Sequence, residues 1–175
     1  MNFALSPDQE SIRDSVTAIC RRFGDEYWLK KDKEGGFPQD FYDAFAAAGW
    51  LGICIPEEYG GSGLGIMDAA IMMRTISESG AGMSGASAIH MNVFGLNPVV
   101  VFGTKEQCRR MLPGIVSGAE RSCFAVTEPN TGLNTTQLKT RAVRQGDKYV
   151  VNGQKVWIST AQVAEKILLL ARTYA

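Results

Sequence analysis

"CFAVTEPNTGLNTTQ" (residues 123–137) is the stretch at which the chain changes character. It starts as an apolar, strand-like run and breaks after Thr127 into a polar loop that contains a proline and a glycine. Pro129 cannot donate to a sheet ladder and holds the preceding Glu128 extended, so the strand must end here. The backbone groups of Val126 and Thr127 are therefore left free to face a ligand.

Before this stretch the sequence has helical periodicity. Ser6 and Gln9 have the spacing of a capping box with a proline between them, and apolar residues then recur every three or four positions. Thr104 and Gln107 repeat that spacing further on. We predict five helices, which begin at Pro7, at Pro38, near residue 66, near residue 85 and after Thr104, with the fourth running to about residue 100.

A glycine-rich segment, residues 49–65, separates the second and third predicted helices and is predicted to be a long shaped loop. It lacks the lysine and the following Ser or Thr of a P-loop, and it is not a dinucleotide-binding motif that opens a helix after a strand. Close packing of the helices is therefore favoured over a phosphate cradle.

Four short runs rich in β-branched residues make up the rest of the chain: CFAVT, LKTRAVRQ, KYVVNGQKVWIS and KILLLART. Turn formers separate these runs at Gln145-Gly146-Asp147 and at Asn152-Gly153, and the Asn-Gly pair is a strong hairpin signal. A strand over KVWIST would put Trp157 and Ser159 on one side and Ile158 on the other.

The predicted fold class is α+β, with an all-helical N-terminal domain at residues 1–118 and the first part of an antiparallel β-barrel or sandwich domain at residues 119–175. The chain stops at or just after its last apolar strand, which leaves too few strands to close a barrel or sandwich. We therefore expect the β domain to be truncated.

The composition excludes several classes of protein. The chain has 175 residues, 45% of them hydrophobic and 21% charged, which suffices for one full core or two small ones. Lys plus Arg equal Asp plus Glu at 18 each, so no net field attracts nucleic acid or an anionic membrane. The four cysteines lie far apart and His90 is the only histidine, so no metal site is predicted. No signal peptide and no apolar run of ~20 residues are recognised, so we expect a cytoplasmic protein without a membrane span.

Two patterns are candidate binding surfaces. Ser87, His90, Met91 and Phe94 share one face of the fourth predicted helix, and such a stripe is core more often than pocket wall. Trp157 with the Ser159 hydroxyl could stack on a planar ring and donate a hydrogen bond to it; the alternative is a core tryptophan beside a surface serine.

Three stretches in this order, "IPEEYGGSGLG", "GTKEQCRRMLPGIVSGAERSCFAVTEPNTG" and "YVVNGQKVWIST", resemble the N-terminal and middle domains of the FAD-dependent acyl-CoA dehydrogenases. The resemblance implies that the strand-end loop wraps the isoalloxazine ring and that the tryptophan tripeptide covers the flavin face opposite the substrate. The cofactor-binding residues it implies are Phe124, Val126, Thr127, Gly132, Leu133, Trp157, Ile158 and Ser159.

The same resemblance implies that an acyl-CoA substrate contacts Ser87, His90, Met91 and Leu133. His90 would lie toward the closed end of the acyl pocket and favour shorter, branched or polar chains. Leu133 replaces a family serine that contacts FAD and the CoA carrier, and it offers main-chain atoms only. Asn134 replaces an aspartate, and Phe124 stands where some relatives have tyrosine.

In this family a glutamate removes the α proton while the β hydrogen leaves as hydride to the flavin. That glutamate lies in a C-terminal helical domain of most relatives, so the resemblance assigns no catalytic residue here, and Glu57, Glu58 and Glu128 receive no such role. We therefore expect an N-terminal fragment, or one subunit of a split protein, that is inactive alone and retains little FAD. The resemblance further implies fatty acid metabolism, an electron-transfer flavoprotein-type acceptor and a homotetramer. The alternatives are a non-catalytic truncated subunit or assembly module, and a flavin oxidase or monooxygenase of the same fold.

Overall fold

A computed structural model describes residues 4–174 of the chain, which form seven α-helices and four β-strands. The helices are α1 (Pro7–Cys20), α2 (Asp25–Glu34), α3 (Gln39–Ala47), α4 (Ile66–Ile76), α5 (Gly82–Phe94), α6 (Asn97–Phe102) and α7 (Lys105–Val116). The strands are β1 (Ser122–Ala125), β2 (Arg141–Gln145), β3 (Lys148–Asn152) and β4 (Lys166–Leu169). The predicted order of a helical part followed by strands is confirmed.

Both predicted capping boxes are present. The Ser6 hydroxyl accepts from the Gln9 N–H at 3.2 Å while the Gln9 side chain accepts from the Ser6 N–H at 3.1 Å, and Thr104 with Gln107 does the same at the start of α7. Each box satisfies two of the N–H groups that a helix start leaves unpaired. These local signals fix where α1 and α7 begin.

The helices pack around one aromatic and aliphatic core. Phe41, Tyr42 and Phe45 of α3 are completely buried, and α1, α4 and α5 contribute apolar residues to the same cluster. The glycine-rich loop packs tightly, as predicted: a Cβ on Gly61 would lie 2.0 Å from the Ile55 carbonyl oxygen. A smaller cluster lies under α7 and consists of Ile55, Tyr59, Leu96, Cys108, Leu112 and Ile115.

Two helix predictions were wrong. Helix α2 was not predicted, because most of its residues are charged and its only buried residue is Trp28. The fourth predicted helix is two helices, since α5 ends at Phe94 and α6 begins at Asn97. Pro98 cannot donate an intrahelical hydrogen bond, and it is favoured at the start of a helix, where it lies in α6.

The tract Ile66–Phe102 is long and apolar enough, by length and composition, to cross a membrane. It is not a straight rod: a π-turn at Ser77–Ala81 separates α4 from α5, and Gly80 within it has a φ of 89°. Its α4 and α5 segments supply Ile71, Met72, Ile76 and Ile89 to the helical core.

The strands form two small sheets. Strands β2 and β3 are antiparallel, as predicted, whereas β1 pairs with β4 in parallel, with Phe124 opposite Leu168. The wholly antiparallel prediction is therefore wrong for the pair that contains the strand-end loop. A parallel pair needs a long connection, and residues 126–165 supply it.

The hairpin uses the predicted turn formers at Gly146-Asp147, and the stronger hairpin signal at Asn152-Gly153 is not its turn. Gln145 pairs with Lys148, so the connecting residues of β2 and β3 are Gly146 and Asp147, whereas Asn152 ends β3. Gly153 has a φ of 158°, and a Cβ there would lie 2.3 Å from the Thr140 hydroxyl oxygen. The KVWIST stretch is not a strand either; it belongs to a turn-rich connection between β3 and β4.

A buried polar cluster joins the first strand to the helices. The Asn92 side-chain amide of α5 donates to the Tyr42 hydroxyl at 2.7 Å and to the Glu120 carbonyl at 3.3 Å, while the Ser122 hydroxyl donates to the Met91 carbonyl at 2.8 Å. Asn92 is only 2% exposed, and hydrogen bonds in so dry a setting fix relative positions strongly. This cluster holds β1 directly against α5.

Candidate functional site

The end of β1 and the tryptophan segment are in direct contact. The N–H of Val156 donates to the carbonyl oxygen of Thr127 at 2.9 Å. These residues are 29 positions apart in sequence, and Trp157 follows the donor directly. The two segments that the sequence assigned to one planar ring therefore lie side by side.

A buried ion pair strengthens the same contact. The Lys155 ammonium donates to the Val126 carbonyl at 2.8 Å and to Glu128 Oε1 at 3.0 Å. Both charged side chains are less than a tenth exposed. Glu128 also accepts from the N–H groups of Lys139 and Thr140 and from the Thr140 hydroxyl. These donors, above all the Thr140 hydroxyl and the Lys139 N–H, lower the pKa of Glu128 to about 2, against a desolvation effect that alone would raise it.

Trp157 is held with its side chain outward. Its backbone has a φ of 60°, a left-handed conformation that residues other than glycine rarely adopt, and Thr160 is similar at 63°. The indole is 90% exposed. An exposed aromatic ring on a strained backbone is more consistent with a ligand contact than with a core tryptophan.

The loop that follows β1 has unpaired backbone groups and exposed residues. Neither Val126 N–H nor Thr127 N–H donates to an acceptor within residues 4–174. Leu133 is completely exposed, and a Cβ added at Gly132 would meet nothing within 4 Å. This segment thus presents unpaired donors and an apolar side chain to the outside.

Two residues that the sequence assigned to different ligands share one cavity. Ser87 of α5 and Ser159 of the tryptophan segment line an open cleft of about 530 Å³ between the helices and the strand part of the chain. Phe37, Ser84, Thr160 and Gln162 line it too, so hydroxyl and amide groups alternate with apolar surface.

His90 faces a different cavity. It lies with Phe94 in an apolar groove of about 300 Å³ between α4 and α5. The His90 and Phe94 rings are 4.6 Å apart, and burial lowers the pKa of His90, which favours the neutral imidazole. Met91 is buried and contributes its carbonyl to the strand junction. The predicted substrate stripe is therefore divided among a cleft, a groove and the core.

Comparison with known proteins assigns nearly the whole chain to one family. The model for the acyl-CoA dehydrogenase N-terminal domain matches residues 6–119, and the one for the acyl-CoA dehydrogenase middle domain matches residues 123–175. The chain belongs to the acyl-CoA dehydrogenase family. The probable acyl-CoA dehydrogenase YngJ of Bacillus subtilis is 33% identical over 175 residues, which cover 99% of this chain and 45% of YngJ.

Solved acyl-CoA dehydrogenase-type structures give the same result. Glutaryl-CoA dehydrogenase from Mycobacterium smegmatis superposes with a TM-score of 0.88 at 27% identity, over 99% of this chain and 44% of that one. The FAD complex of PigA superposes with a TM-score of 0.91 over 100% of this chain and 46% of PigA, and at 23% identity it supports the fold alone. The chain thus spans about half the length of the relatives it matches.

The sequence did not reveal two residues that join the end of β1 to the tryptophan segment. Lys155 received no role, and Glu128 was treated only as a loop residue without catalytic function. Their partnership links positions 27 residues apart. The sequence shows only a carboxylate that directly follows a strand and a lysine two residues before the tryptophan. The same pattern occurs when both charged residues are exposed to solvent, so it does not predict a buried ion pair.

Proposed function

We propose that this chain forms the N-terminal domain and the first part of the middle domain of an FAD-dependent acyl-CoA dehydrogenase, which oxidises an acyl-CoA thioester between its α and β carbons. The observation that carries the proposal is the Val156–Thr127 hydrogen bond, which places Trp157 beside the open end of β1. A domain boundary near Gly118 is part of the proposal.

The residues present fit one side of a flavin. The unpaired N–H groups of Val126 and Thr127 can donate to the polar edge of the ring, and the exposed Trp157 indole can cover a ring face. The Ser159 hydroxyl is exposed and can donate as well. Phe124, Gly132, Leu133 and Ile158 complete the proposed cofactor-binding set.

When bound, FAD supplies hydride acceptance, and the protein supplies orientation and electrostatics. The chain's own residues would hold one side of the ring: the main chain at Val126 and Thr127 would donate to it, and Trp157 would exclude water from the face that it covers. Glu128 does not remove a proton from the substrate, since it is buried and both of its oxygens accept hydrogen bonds from the protein.

The proposed substrate surface lies along α5. Ser87 lines the cleft that it shares with Ser159, and His90 lines the neighbouring apolar groove. A neutral imidazole at the edge of an apolar groove shortens the space for a hydrocarbon chain, so short, branched or polar acyl groups are the proposed substrates. His90→Ala in an active protein should shift the preference to longer chains, and an unchanged chain-length profile would contradict this assignment.

The remaining assignments follow from the family resemblance. They are an electron-transfer flavoprotein-type acceptor, a homotetramer, a role in fatty acid metabolism and a cytoplasmic location. A specific observation favours further protein partners or segments: Val143, Tyr149, Val150 and Val151 on the β2–β3 hairpin are all exposed. Val143 and Val150 lie opposite each other on one face of the hairpin, and Tyr149 and Val151 lie on the other face. Exposed apolar residues on both faces of a strand pair are normally covered. The same observation supports the non-catalytic assembly module as the second candidate function.

Titration with FAD tests the cofactor assignment on the chain as it is. An indole in contact with a flavin quenches its emission, so FAD fluorescence should fall on addition of the chain. Trp157→Ala should weaken binding by about tenfold, which corresponds to one aromatic stack. Trp50→Phe, which removes a half-buried tryptophan of the helical core, is the matched control. Equal quenching by all three proteins would contradict the site.

A chimera tests the activity and separates the two candidate functions. Residues 1–175 are joined to the part of YngJ that lies beyond the region matching this chain. For the dehydrogenase we expect a yellow protein whose flavin absorbance is bleached by acyl-CoA under anaerobic conditions. A folded, colourless chimera would support the assembly module instead.

A further inference from the structure

Lys155 and Glu128 occupy a position that no part of the proposed chemistry uses, yet they are the most deeply buried ion pair among the described residues. A buried pair is costly to desolvate and gives little net stability, so its retention calls for a role in specifying geometry. The contacts of the pair indicate what that geometry is.

We propose that Lys155 and Glu128 are positioning residues that fix the tryptophan segment against the end of β1 and so set the face offered to a flat aromatic ring. The inference rests on the proposed function for the identity of that ring. The placement of the segment is a property of the chain alone and can be tested without any flavin.

Lys155 acts through its neighbours in sequence. Its ammonium group binds the Val126 carbonyl at 2.8 Å, while the next residue, Val156, donates its N–H to the Thr127 carbonyl at 2.9 Å. The two consecutive residues thus bind two consecutive carbonyls. With both carbonyls occupied, the N–H groups of Val126 and Thr127 are the unpaired backbone groups of these two residues.

Glu128 fixes the lysine from the other side. Its Oε1 accepts from Lys155 and from the N–H and hydroxyl of Thr140, and its Oε2 accepts from the Lys139 N–H. The carboxylate therefore anchors the lysine to the segment that leads into β2. Three separate stretches of chain meet at one carboxyl group.

The backbone beyond this anchor is strained. Trp157 at a φ of 60° and Thr160 at 63° occupy a region that side-chain-bearing residues avoid, and such strain persists only where the surroundings enforce it. On one side the enforcing contacts are those of Lys155 and Val156. On the other side lies the Thr160 hydroxyl, whose single proton has two acceptors within reach, the Ser159 carbonyl at 2.6 Å and the Ser122 carbonyl at 3.3 Å.

The test is amide hydrogen exchange measured by NMR on the chain without flavin. In Lys155→Met we expect the Val156 amide to exchange about tenfold faster, because its partner segment is no longer held. The buried Val16 amide of α1 should exchange at its wild-type rate. Lys148→Met, the same change at an exposed lysine of β3, is the matched control, and Lys155→Arg should restore part of the protection.

A second variant guards against misfolding. Glu128→Gln/Lys155→Met removes both charges and so leaves no unpaired buried ion, and it should show the same local increase at Val156. Unchanged Val156 exchange in both variants overturns the proposal. An equal increase at Val16 and Val156 overturns it too, because the pair would then stabilise the whole fold without positioning this segment.

FAD titration then separates the inference from the proposed function. If the pair positions the ring-binding face, Lys155→Met should weaken FAD binding by about as much as Trp157→Ala, about tenfold. If Val156 exchanges faster but the FAD affinity is unchanged, the pair does not position the face that binds the ring, and that part of the proposal is wrong. Faster exchange in a chain whose wild-type YngJ chimera is folded but colourless supports the placement of the segment and contradicts the proposed function.

Discussion

The rings of Phe94 and Phe124 meet edge to face with their centroids 5.5 Å apart. Phe94 is the last residue of α5, and the His90 ring packs against it at 4.6 Å. Phe124 belongs to the strand that leads into the proposed flavin loop. One aromatic contact therefore connects the proposed acyl surface to the proposed cofactor surface, so a change of volume at His90 can reach β1 through a single intermediate ring.

The conformation of Trp157 predicts an unusual order of stabilities. Trp157→Gly should be more stable than Trp157→Ala by about 1 kcal/mol, because glycine adopts a φ of 60° without the Cβ clash that alanine suffers. The lost indole contributes little to this difference, since it is 90% exposed. Urea unfolding of the two variants measures it. Equal midpoints would mean that the segment relaxes and that the left-handed backbone is not enforced.

Substitution by alanine should destabilise the protein at Gly95 but not at Gly132. In Gly95→Ala the new Cβ would lie 2.2 Å from the Ser122 hydroxyl oxygen and 2.4 Å from the Met91 carbonyl oxygen, which should cost about 2 kcal/mol by overpacking. Gly132→Ala meets nothing within 4 Å and should leave the free energy of unfolding unchanged. If backbone at Gly132 approaches the flavin, that variant should instead weaken FAD binding. Thermal unfolding and FAD titration of both variants distinguish these effects.

Tyr42 should make the protein sensitive to alkali. Burial raises its pKa from 10.0 to about 12, although the hydrogen bond from Asn92 opposes the shift. Below about pH 10 both states keep the phenolic proton, and this contribution to stability is complete. Between about pH 10 and 12 the unfolded state loses the proton first, so the free energy of unfolding should fall by up to about 1.4 kcal/mol per pH unit.

The matched variant for this effect is Tyr42→Phe. It should be less stable at neutral pH, because Asn92 loses an acceptor, and its stability should decline less steeply between pH 10 and 12. Parallel curves for the two proteins in urea unfolding at a series of pH values would assign the alkaline loss to other groups.

Glu128 should determine part of the acid sensitivity. Its pKa is about 2 in the folded state against an ordinary 4.5, so its stabilising contribution is present above pH 4.5 and is lost as the pH falls toward 2. Protonation also leaves Lys155 buried without its carboxylate. Glu128→Gln should therefore flatten the acid limb of the stability curve, followed by circular dichroism. Glu106→Gln, an exposed carboxylate in the first turn of α7, is the control and should keep the wild-type limb.

The sequence predicted what local chemistry controls. The capping boxes at Ser6 and Thr104 depend on residues three positions apart, so the sequence alone shows them. Pro129 predicted a strand end after Thr127, and β1 ends two residues earlier, at Ala125. Helix α2 was missed because its charged surface gives almost no apolar period, and the hairpin was placed at Asn152-Gly153 because that dipeptide is a better turn signal than Gly146-Asp147. The close approach of Gly153 to Thr140 explains why the stronger signal was not used.

The candidate site was predicted as a set of residues and not as an arrangement. The site residues of the strand-end loop and the tryptophan segment came from a family resemblance, which the comparisons confirm at the level of the family. The sequence could not show that Ser87 and His90 face different cavities. One face of α5 contacts both α4 and the tryptophan segment, so residues of the same helical stripe line two separate cavities.

The sequence by itself determined that a helical part precedes the strands, where α1 and α7 begin, and that β1 must end before Pro129, since each depends on interactions among near neighbours in the chain. Only the tertiary structure decided that Lys155 and Val156 occupy the two carbonyls at the end of β1, that β1 pairs in parallel with β4, and that the Trp157 indole points outward. These are contacts between segments tens of residues apart. Their formation depends on desolvation and packing of the whole chain, so a short stretch of sequence cannot predict them.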